Sequence, residues 1–230
     1  MSSVRVHETY RMLEKSFGPN QNRIKAILFD MDGVLIDARD LHYEALNLAL
    51  SPFGLEIDQD AHLATFDGLP TRTKLEMLSK SRGLPRGLHR FVNTMKQKYT
   101  IDMVHQRCHP VFQHQYALSH LQAAGYKVAV CSNSVRQSLE QMMKRASLDR
   151  FLDLMLSNED VTKPKPDPEI YTSAMNRFGL APGECLIVED NENGIRAARA
   201  SGGHVHVVSS PGDVTYERIM TAIENCVSAP

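Results

Sequence analysis

The chain has 230 residues, of which 42% are hydrophobic and 23% are charged, and its formal net charge at pH 7 is -1. This length and composition are ordinary for a folded protein that buries an apolar core without help from disulfides or a structural metal. Because the net charge is close to zero, we expect neither nucleic acid nor an anionic membrane as a partner.

The first predicted unit is an N-terminal extension, residues 1–22, which is polar throughout. It includes a possible short helix over residues 6–17, and residues 18–22 are typical of a linker because glycine, proline and asparagine interrupt regular structure there. Residues 1–15 carry charges and lack the apolar stretch of a signal peptide. No apolar run approaches the length of a membrane span. We therefore expect a cytoplasmic protein.

A short apolar run over residues 24–29 predicts a buried parallel strand. Later runs of the same kind are separated by segments with helical spacing, as in Val135, Leu139 and Met142. This alternation of strand and helix predicts a parallel sheet with helices on both faces. The later strands are predicted at Lys127–Cys131, Leu154–Leu156, Leu186–Val188 and Val205–Val208.

The region between the first strand and the second has no strand pattern and reads as helices over about 70 residues. We predict that residues 40–108 form a second, helical domain, and that residues 23–39 and 109–230 form the core. An insert at this point lies over the carboxyl ends of the strands, where open α/β sheets place ligands.

Two acids, Asp30 and Asp32, follow the first strand and are themselves followed by Gly33, which permits a sharp backbone turn. Both carboxylates can then reach one crevice, where a bound divalent cation would offset their repulsion and loss of hydration. A charged turn on the surface explains this short motif equally well, so the other strand ends decide between the two readings.

The later strand ends also carry groups suited to phosphate or to a hard metal. Ser132 and Asn133 precede a helix, where a hydroxyl and free N–H groups can hold an anion, although a simple helix cap gives the same pattern. Prolines hold Lys163 in a stiff segment, which a solvated surface loop also explains. Glu189 and Asp190 end the fourth strand as a further acid pair. Their coincidence favours a catalytic site.

These motifs, in this order from about residue 24 to the end of the chain, resemble those of the haloacid dehalogenase-like hydrolases. The resemblance is to the subgroup that contains β-phosphoglucomutase and small sugar-phosphate phosphatases. It implies an α/β fold, with a Rossmann-like parallel sheet as the core and an α-helical cap domain inserted after the first motif.

The resemblance also implies roles for the first two motifs. Asp30 corresponds to the nucleophile that becomes an aspartyl-phosphate, and Asp32 to the general acid and base, with its backbone carbonyl as a metal ligand. Ser132 holds the phosphoryl group, helped by the N–H of Asn133. Gly33 is placed among the substrate-binding residues.

For the last two motifs, the resemblance implies that Lys163 is the family lysine and that Lys165 occupies a variable position between two prolines. Asp190 corresponds to the metal-binding acid, and Glu189 ligates directly or through water. Thr162 departs from the glycine that many relatives carry before the lysine. The cofactor expected from these all-oxygen ligands is Mg²⁺.

Cap residues read the leaving group in similar enzymes. The candidates here are His42, Arg72, Lys74 and Lys98. His42 lies on the first helix of the insert, where β-phosphoglucomutase-like relatives also carry histidine, but a lone histidine on a helix is more often structural.

We expect a phosphatase that acts on a small phosphorylated metabolite, with a sugar phosphate as the first candidate. We expect the protein to be a monomer or a weak homodimer. The closest alternative is a phosphoglucomutase, which uses the same core residues but returns the phosphoryl group to a sugar hydroxyl. Metal-free dehalogenation is disfavoured by Asp32, which similar dehalogenases lack. A non-catalytic binding protein is disfavoured by the intact set of motifs.

The four cysteines are widely spaced and form no CxxC pair, so neither a disulfide framework nor a zinc site is expected.

Overall fold

A parallel sheet forms the centre of the molecule. The computed structural model describes residues 24–66 and 69–228. Within these residues the sheet has five strands in the order β3-β2-β1-β4-β5, and all four pairings are parallel. The predicted α/β fold class is confirmed. The strands are β1 (Ala26–Phe29), β2 (Lys127–Cys131), β3 (Leu154–Leu156), β4 (Cys185–Glu189) and β5 (His204–Val207).

Helices connect the strands and cover both faces of the sheet. A short helical segment over residues 59–66 also lies between the first and second helices. The helices are α1 (Arg39–Leu50), α2 (Thr71–Arg82), α3 (His89–Arg107), α4 (Phe112–Ala123), α5 (Arg136–Arg145), α6 (Glu169–Phe178), α7 (Glu192–Ala200) and α8 (Tyr216–Ser228). In the described part of the chain, none of these helices combines the length and the apolar character that a bilayer crossing requires.

Strand β1 lies at the centre of the sheet, and all four of its residues, Ala-Ile-Leu-Phe, are buried. Its side chains alternate between two apolar layers, one on each face of the sheet. Ile27 and Phe29 pack into the layer under α4, α5 and α8. Ala26 and Leu28 pack into the layer under α6 and α7. A strand buried on both faces has no solvent-facing side, which explains why the sequence shows a continuous apolar run.

The register of β1 fixes where the polar residues that follow each strand lie. Phe29 pairs with Val130 of β2 on one side and with Val188 of β4 on the other. The residues that follow these three positions therefore emerge together at one edge of the sheet. Asp30 continues this alignment, since its N–H donates to the carbonyl of Val188 at 2.9 Å.

The helices α1, α2 and α3 form a layer of their own, which we call the helical layer (residues 39–107). Its apolar side chains pack on one another, as Leu46, Leu78 and Val92 do, in a cluster separate from the two that line the sheet. The α1–α3 pair provides much of this packing, and α2 closes it from one side. The predicted helix over residues 6–17 and the predicted linker over residues 18–22 lie outside the described residues.

Candidate active site

The turn after β1 brings the first two acids to one cavity. The N–H groups of Leu35 and Ile36 both donate to the carbonyl of Met31, at 2.9 Å each, and so close the loop. Gly33 sits in this turn with φ of +87°, a conformation that residues with a side chain rarely adopt. Asp30, Asp32 and Gly33 consequently all line a cavity of about 530 Å³ between the sheet and the helical layer.

Asp30 is buried and forms a short ion pair with a lysine from the loop before α6. The ammonium of Lys165 lies 2.6 Å from Asp30 Oδ1 and 2.6 Å from Glu189 Oε1. Burial acts to lower the pKa of Lys165, but the two carboxylates outweigh it and raise that pKa above its ordinary value. Lys165 is therefore a fixed positive charge at the position of the predicted nucleophile.

The loop that carries Lys165 is held in place by the end of β2. Asn133 Oδ1 accepts the N–H of Lys165 at 3.0 Å, and Asn133 Nδ2 donates to the carbonyl of Lys165 at 3.3 Å. The side-chain amide of Asn133 thus positions the lysine, while the residue also lines the cavity. Its predicted contact with substrate remains a prediction.

The structure corrects the assignment of the family lysine. The side chain of Lys163 is 73% exposed, and its ammonium lies 3.9 Å from Asp167 in solvent rather than near Asp30. The pattern Lys-Pro-x-Pro occurs in two overlapping registers, at residues 163–166 and at residues 165–168. Spacing alone was therefore ambiguous, and the packing of the loop places Lys165 in the site.

Asp32 is held from two sides. Ser134 Oγ donates to Asp32 Oδ2 at 3.0 Å, and His42 Nε2 lies 3.2 Å from the same oxygen. Burial acts to raise the pKa of Asp32, but His42, Ser134 and the charge of Lys96 hold that pKa below its ordinary value. Asp32 Oδ1 is buried and has no hydrogen-bond partner among the described residues. This oxygen is free to exchange a proton with a bound substrate.

His42 joins Asp32 to a lysine that the sequence analysis did not select. Lys96 Nζ lies 3.0 Å from His42 Nδ1, and Lys96 is only 7% exposed. Burial, followed by the positive charge of Lys96, lowers the pKa of His42. A neutral ring can accept from Lys96 at Nδ1 and carry its proton on Nε2, which lies 3.2 Å from Asp32 Oδ2 but outside hydrogen-bond geometry. His42 therefore lies in the site, as the sequence analysis proposed.

Three acids form a cluster at the ends of β1 and β4. Asp30, Glu189 and Asp190 each offer a carboxylate oxygen, and these three atoms lie within 4.8 Å of one another. Burial, together with the carboxylates of Glu189 and Asp32, raises the pKa of Asp30, while Lys165 opposes the change. Oxygen donors gathered at this spacing suit a hard divalent cation. The carboxylate of Asp32 is not part of this cluster and instead contacts Ser134 and His42.

The carboxylate of Glu189 packs against the backbone of Gly194, and the carboxylate of Asp190 packs against the backbone of Gly33. Tyr171 OH donates to Glu189 Oε1 at 2.5 Å. A β-carbon added at Gly194 would overlap the carboxylate of Glu189, and one added at Gly33 would overlap that of Asp190. Glycine at these two positions therefore leaves room for the acids, in addition to its effect on the backbone.

Ser132, which was predicted to hold the phosphoryl group, is not among the residues that line the cavity. It is 1% exposed, and its Oγ accepts the N–H of Ser134 at 3.0 Å. Its own hydroxyl hydrogen remains available to a phosphoryl oxygen, and this role stays a prediction. Ser134, two residues on, lines the cavity and contacts Asp32 directly. Ser134 was not among the predicted site residues, although it directly follows Ser132 and Asn133.

The helical layer supplies cations to the other wall of the cavity. His42, Arg72 and Lys74 line it as proposed. Lys98 is exposed on α3, and Lys96 lines the cavity in its place. Two residues along an α-helix turn the side chain by about 200°, so the two lysines face opposite sides.

A signal for Lys96 was present in the sequence. It lies on the stripe of α3 that also carries Val92, Thr100 and Met103, all of them buried. A charged residue at helical spacing among buried positions indicates a functional or paired group. Lys98 lies off that stripe.

Comparisons with known proteins agree with this geometry. A phosphorylated carbohydrates phosphatase of Thermotoga maritima is 27% identical over 182 residues, covering 78% of this chain and 82% of the relative. A phosphoglycolate phosphatase of Nitrosospira multiformis is 28% identical over 193 residues, covering 80% and 83%. The crystal structure of β-phosphoglucomutase from Clostridium difficile superposes with a TM-score of 0.77 at 19% identity, covering 90% of this chain and 100% of that one. At that identity, the likeness to the crystal structure shows the fold.

The family match covers most of the chain. Residues 27–208 match the family described as haloacid dehalogenase-like hydrolase. Apart from Ala26, the first residue of β1, these residues include all five strands of the described sheet and the acids and lysine that meet at its edge. The chain belongs to the haloacid dehalogenase-like hydrolase family.

Proposed function

We propose that this chain is a magnesium-dependent phosphatase that hydrolyses a small phosphorylated metabolite, a sugar phosphate, through an aspartyl-phosphate on Asp30. The observation that carries the proposal is the position of Asp30. Its carboxylate is buried on the wall of the cavity, 2.6 Å from Lys165 and within the acid cluster. Several relatives of this hydrolase chain are named as phosphatases, and one of them is named for phosphorylated carbohydrates. That name supports the substrate class.

In the first step, the carboxylate of Asp30 attacks the phosphorus atom of the substrate. A bond from Asp30 to phosphorus forms while the bond from phosphorus to the leaving oxygen breaks. The negative charge of a bound phosphate ester raises the low pKa that Asp32 has in the free site, so that Asp32 can carry a proton; it gives this proton to the leaving oxygen, and the product leaves as a neutral alcohol. Lys165 lies beside Asp30 and provides positive charge for the phosphoryl oxygens.

In the second step, water attacks the phosphorus atom of the aspartyl-phosphate. Asp32 accepts a proton from that water, the bond from Asp30 to phosphorus breaks, and inorganic phosphate leaves. Asp32 is protonated again, so the two steps balance. Ser134 and His42 both contact Oδ2 of Asp32, which leaves the buried Oδ1 for the proton in transit.

The acid cluster fits Mg²⁺, because its donors are carboxylate oxygens and hard cations prefer oxygen ligands. Asp30 and Asp190 would hold the ion, with Glu189 acting directly or through water and the carbonyl of Asp32 completing the protein ligands. When bound, Mg²⁺ supplies positive charge that offsets the repulsion between Asp30 and an incoming phosphate ester.

The helical layer supports a division into two domains. We propose residues 40–108 as a cap domain and residues 23–39 with 109–230 as the core, because the helical layer has its own apolar cluster and forms one wall of the cavity. A cap that closes over bound substrate would exclude bulk water from the aspartyl-phosphate.

The test is the Asp30→Asn variant, assayed for phosphate release from a panel of sugar phosphates with Mg²⁺ present. We expect turnover to disappear while circular dichroism shows an unchanged fold, because an amide cannot act as the nucleophile. Activity near that of the wild type in this variant would contradict the proposed mechanism.

A phosphoglucomutase is the second candidate, and the position of His42 favours it. The resemblance implies a histidine on this helix in mutase-like relatives, and His42 Nε2 lies 3.2 Å from Asp32. The two activities differ only in whether water or a sugar hydroxyl attacks the aspartyl-phosphate. Incubation with a sugar 1-phosphate separates them. Release of free phosphate supports the phosphatase, whereas a sugar 6-phosphate formed with catalytic bisphosphate supports the mutase.

A further inference from the structure

A row of aromatic rings lies on one side of α4. Phe112, Tyr116 and His120 stand four positions apart, so they share one stripe of the helix. The ring centre of Tyr116 lies 6.0 Å from that of Phe112 and 3.9 Å from that of His120. Tyr216 of α8 joins the row, 6.2 Å from Tyr116 and 5.4 Å from His120. We call these four residues the aromatic face. None of them lines the active-site cavity.

Much of the aromatic face is open to solvent in the described part of the chain. Phe112 is 78% exposed and Tyr116 is 39% exposed, and Val111, directly before α4, is 47% exposed. The described residues include six exposed large hydrophobic side chains, and three of them lie at this one place. Hydrophobic residues exposed singly are ordinary, but a contiguous patch is typical of a surface that packs against another group.

The opposite side of α4 is fixed in the core, so the helix cannot turn its rings inward. Leu118 and Leu121 are fully buried in the apolar layer that α4 shares with α8. Gln113 Nε2, in the first turn, donates to the carbonyls of Gly212 and Val214 at 3.0 Å each, which ties the start of α4 to the loop before α8. A cover for the aromatic face must therefore come from outside these elements.

The chain contains a segment whose pattern suits this face. Residues 6–17, for which the sequence predicts a short helix, precede the part of the chain that the structure describes. Gly18 and Pro19 follow them, a pair typical of a helix end. At 100° per residue, the large apolar side chains spaced three or four positions apart fall within about 60° of one another. These residues, which we call the apolar stripe, are Val6, Tyr10, Leu13 and Phe17.

The segment is long enough to reach the aromatic face. The carbonyl of Lys25 accepts the N–H of Lys127, the first residue of β2, at 2.9 Å. Residues 124–126 alone separate β2 from the end of α4, so the described chain begins beside that end. Residues 18–23 can span about 20 Å when extended. A helix over residues 6–17 is about 18 Å long, whereas the row of rings on α4 extends over about 12 Å.

We propose that residues 6–17 form an amphipathic helix whose apolar stripe packs on the aromatic face. A short tether holds the segment at an effective concentration in the millimolar range, which favours it over a second copy of the chain or a separate protein. The rings of Tyr10 and Phe17 can add aromatic contacts to the burial of apolar surface. The inference concerns a surface outside the cavity and does not depend on the proposed phosphatase function.

A photo-crosslink from the aromatic face identifies what covers it. Phe112 is replaced by p-benzoylphenylalanine in the full chain, a change that this exposed position accommodates. The irradiated protein is separated by denaturing electrophoresis, and the linked peptides are identified by mass spectrometry. We expect a product of monomer mass in which position 112 is joined to residues 6–17. A product of twice that mass would place a second copy on the face, and a monomer without a link to residues 6–17 would place the segment elsewhere. Either result overturns the inference.

Hydrogen exchange of the full chain tests the apolar stripe. The amides of residues 6–17 should exchange at least about 10-fold more slowly than those of a free peptide with the same sequence. Leu13→Asp places a charge on the stripe and should remove this protection. Met12→Asp is the matched control, because it adds the same charge at the neighbouring position, which faces away from the stripe, and should keep the protection.

The reciprocal change tests the face itself. Phe112→Ala should remove the protection of residues 6–17, whereas Phe91→Ala, which removes an exposed ring from α3, should keep it. Both side chains are more than half exposed, and circular dichroism shows that both variants are folded. Wild-type amides in residues 6–17 that exchange as fast as the free peptide would overturn the inference. Protection that survives both Leu13→Asp and Phe112→Ala would do the same.

Discussion

At the scale of single residues, the charge balance of the site depends most directly on Lys165. Its ammonium lies 2.6 Å from one oxygen of Asp30 and 2.6 Å from one oxygen of Glu189, and it stacks 4.7 Å from the ring centre of Tyr171. Because these groups are buried, little water is present to screen them. One lysine thus keeps two carboxylates close together where a phosphoryl group with further negative charge must bind.

Replacing this lysine should therefore reduce catalysis far more than replacing its neighbour. We expect Lys165→Met to lower kcat by about 10²- to 10³-fold, comparable to the loss of one electrostatic contact in a transition state. Lys163→Met is the matched control, since that side chain is exposed, and should stay within about twofold of the wild type.

Steady-state kinetics on the same substrate measures both variants. Thermal unfolding of Lys165→Met shows that it is folded at the assay temperature, which matters because the change leaves buried carboxylates without their cation. The assignment would be wrong if Lys163→Met were the inactive variant and Lys165→Met retained its activity.

At the scale of elements, the start of α7 is adapted to the acid that precedes it. Asn191 caps this helix by accepting the N–H of Gly194 at 3.0 Å. A glycine inside a helix normally costs about 1 kcal/mol relative to alanine. Here an alanine side chain would overlap the buried carboxylate of Glu189. Overpacking of this kind costs about 1–3 kcal/mol, which outweighs the gain in helix propensity.

We therefore expect Gly194→Ala to lower the free energy of unfolding by about 1–2 kcal/mol and to lower activity at limiting Mg²⁺, because the displaced carboxylate belongs to the acid cluster. Urea unfolding and activity titrations with Mg²⁺ measure the two effects. Gly87→Ala is the control, since a β-carbon there meets nothing within 4 Å. A Gly194→Ala protein more stable than the wild type, with an unchanged Mg²⁺ requirement, would contradict this account.

At the scale of the whole molecule, the acid cluster joins two strands that are far apart in the chain. Asp30 directly follows β1, whereas Glu189 is the last residue of β4 and Asp190 follows it. These carboxylates come together only in the folded state, so a cation that binds all of them binds the native protein selectively. Such binding stabilises the fold by about 2.7 kcal/mol when the free cation exceeds its Kd a hundredfold.

Removal of metal should accordingly affect both activity and stability. We expect EDTA to abolish phosphate release, excess Mg²⁺ to restore it, and Mg²⁺ to raise the Tm of the wild type. Asp190→Asn should lose both responses, whereas Asp37→Asn, which alters an exposed acid near the site, should keep them. Differential scanning calorimetry with and without Mg²⁺ measures the shift. Full activity in EDTA, or an equal Tm shift in Asp190→Asn, would refute the metal proposal.

The sequence by itself determined the sheet and the position of its catalytic edge. Strands β2 and β3 have the predicted bounds, β1 starts two residues later than the run predicted over residues 24–29, and β4 and β5 differ from the prediction by one residue at each end. This is because a strand buried on both faces needs a continuous apolar run, which is a local property. The acids Asp30 and Asp190 could be placed because they directly follow such runs, and parallel strands end at one edge.

Only the tertiary structure decided which side chains face the cavity. The choice of Lys165 over Lys163 depends on how a proline-rich loop packs, and both lysines fit the same pattern. The choice of Lys96 over Lys98 depends on the rotation of α3 against α1, which packing fixes. A residue's spacing in the chain gives its element, but the direction of its side chain follows from contacts between elements distant in sequence.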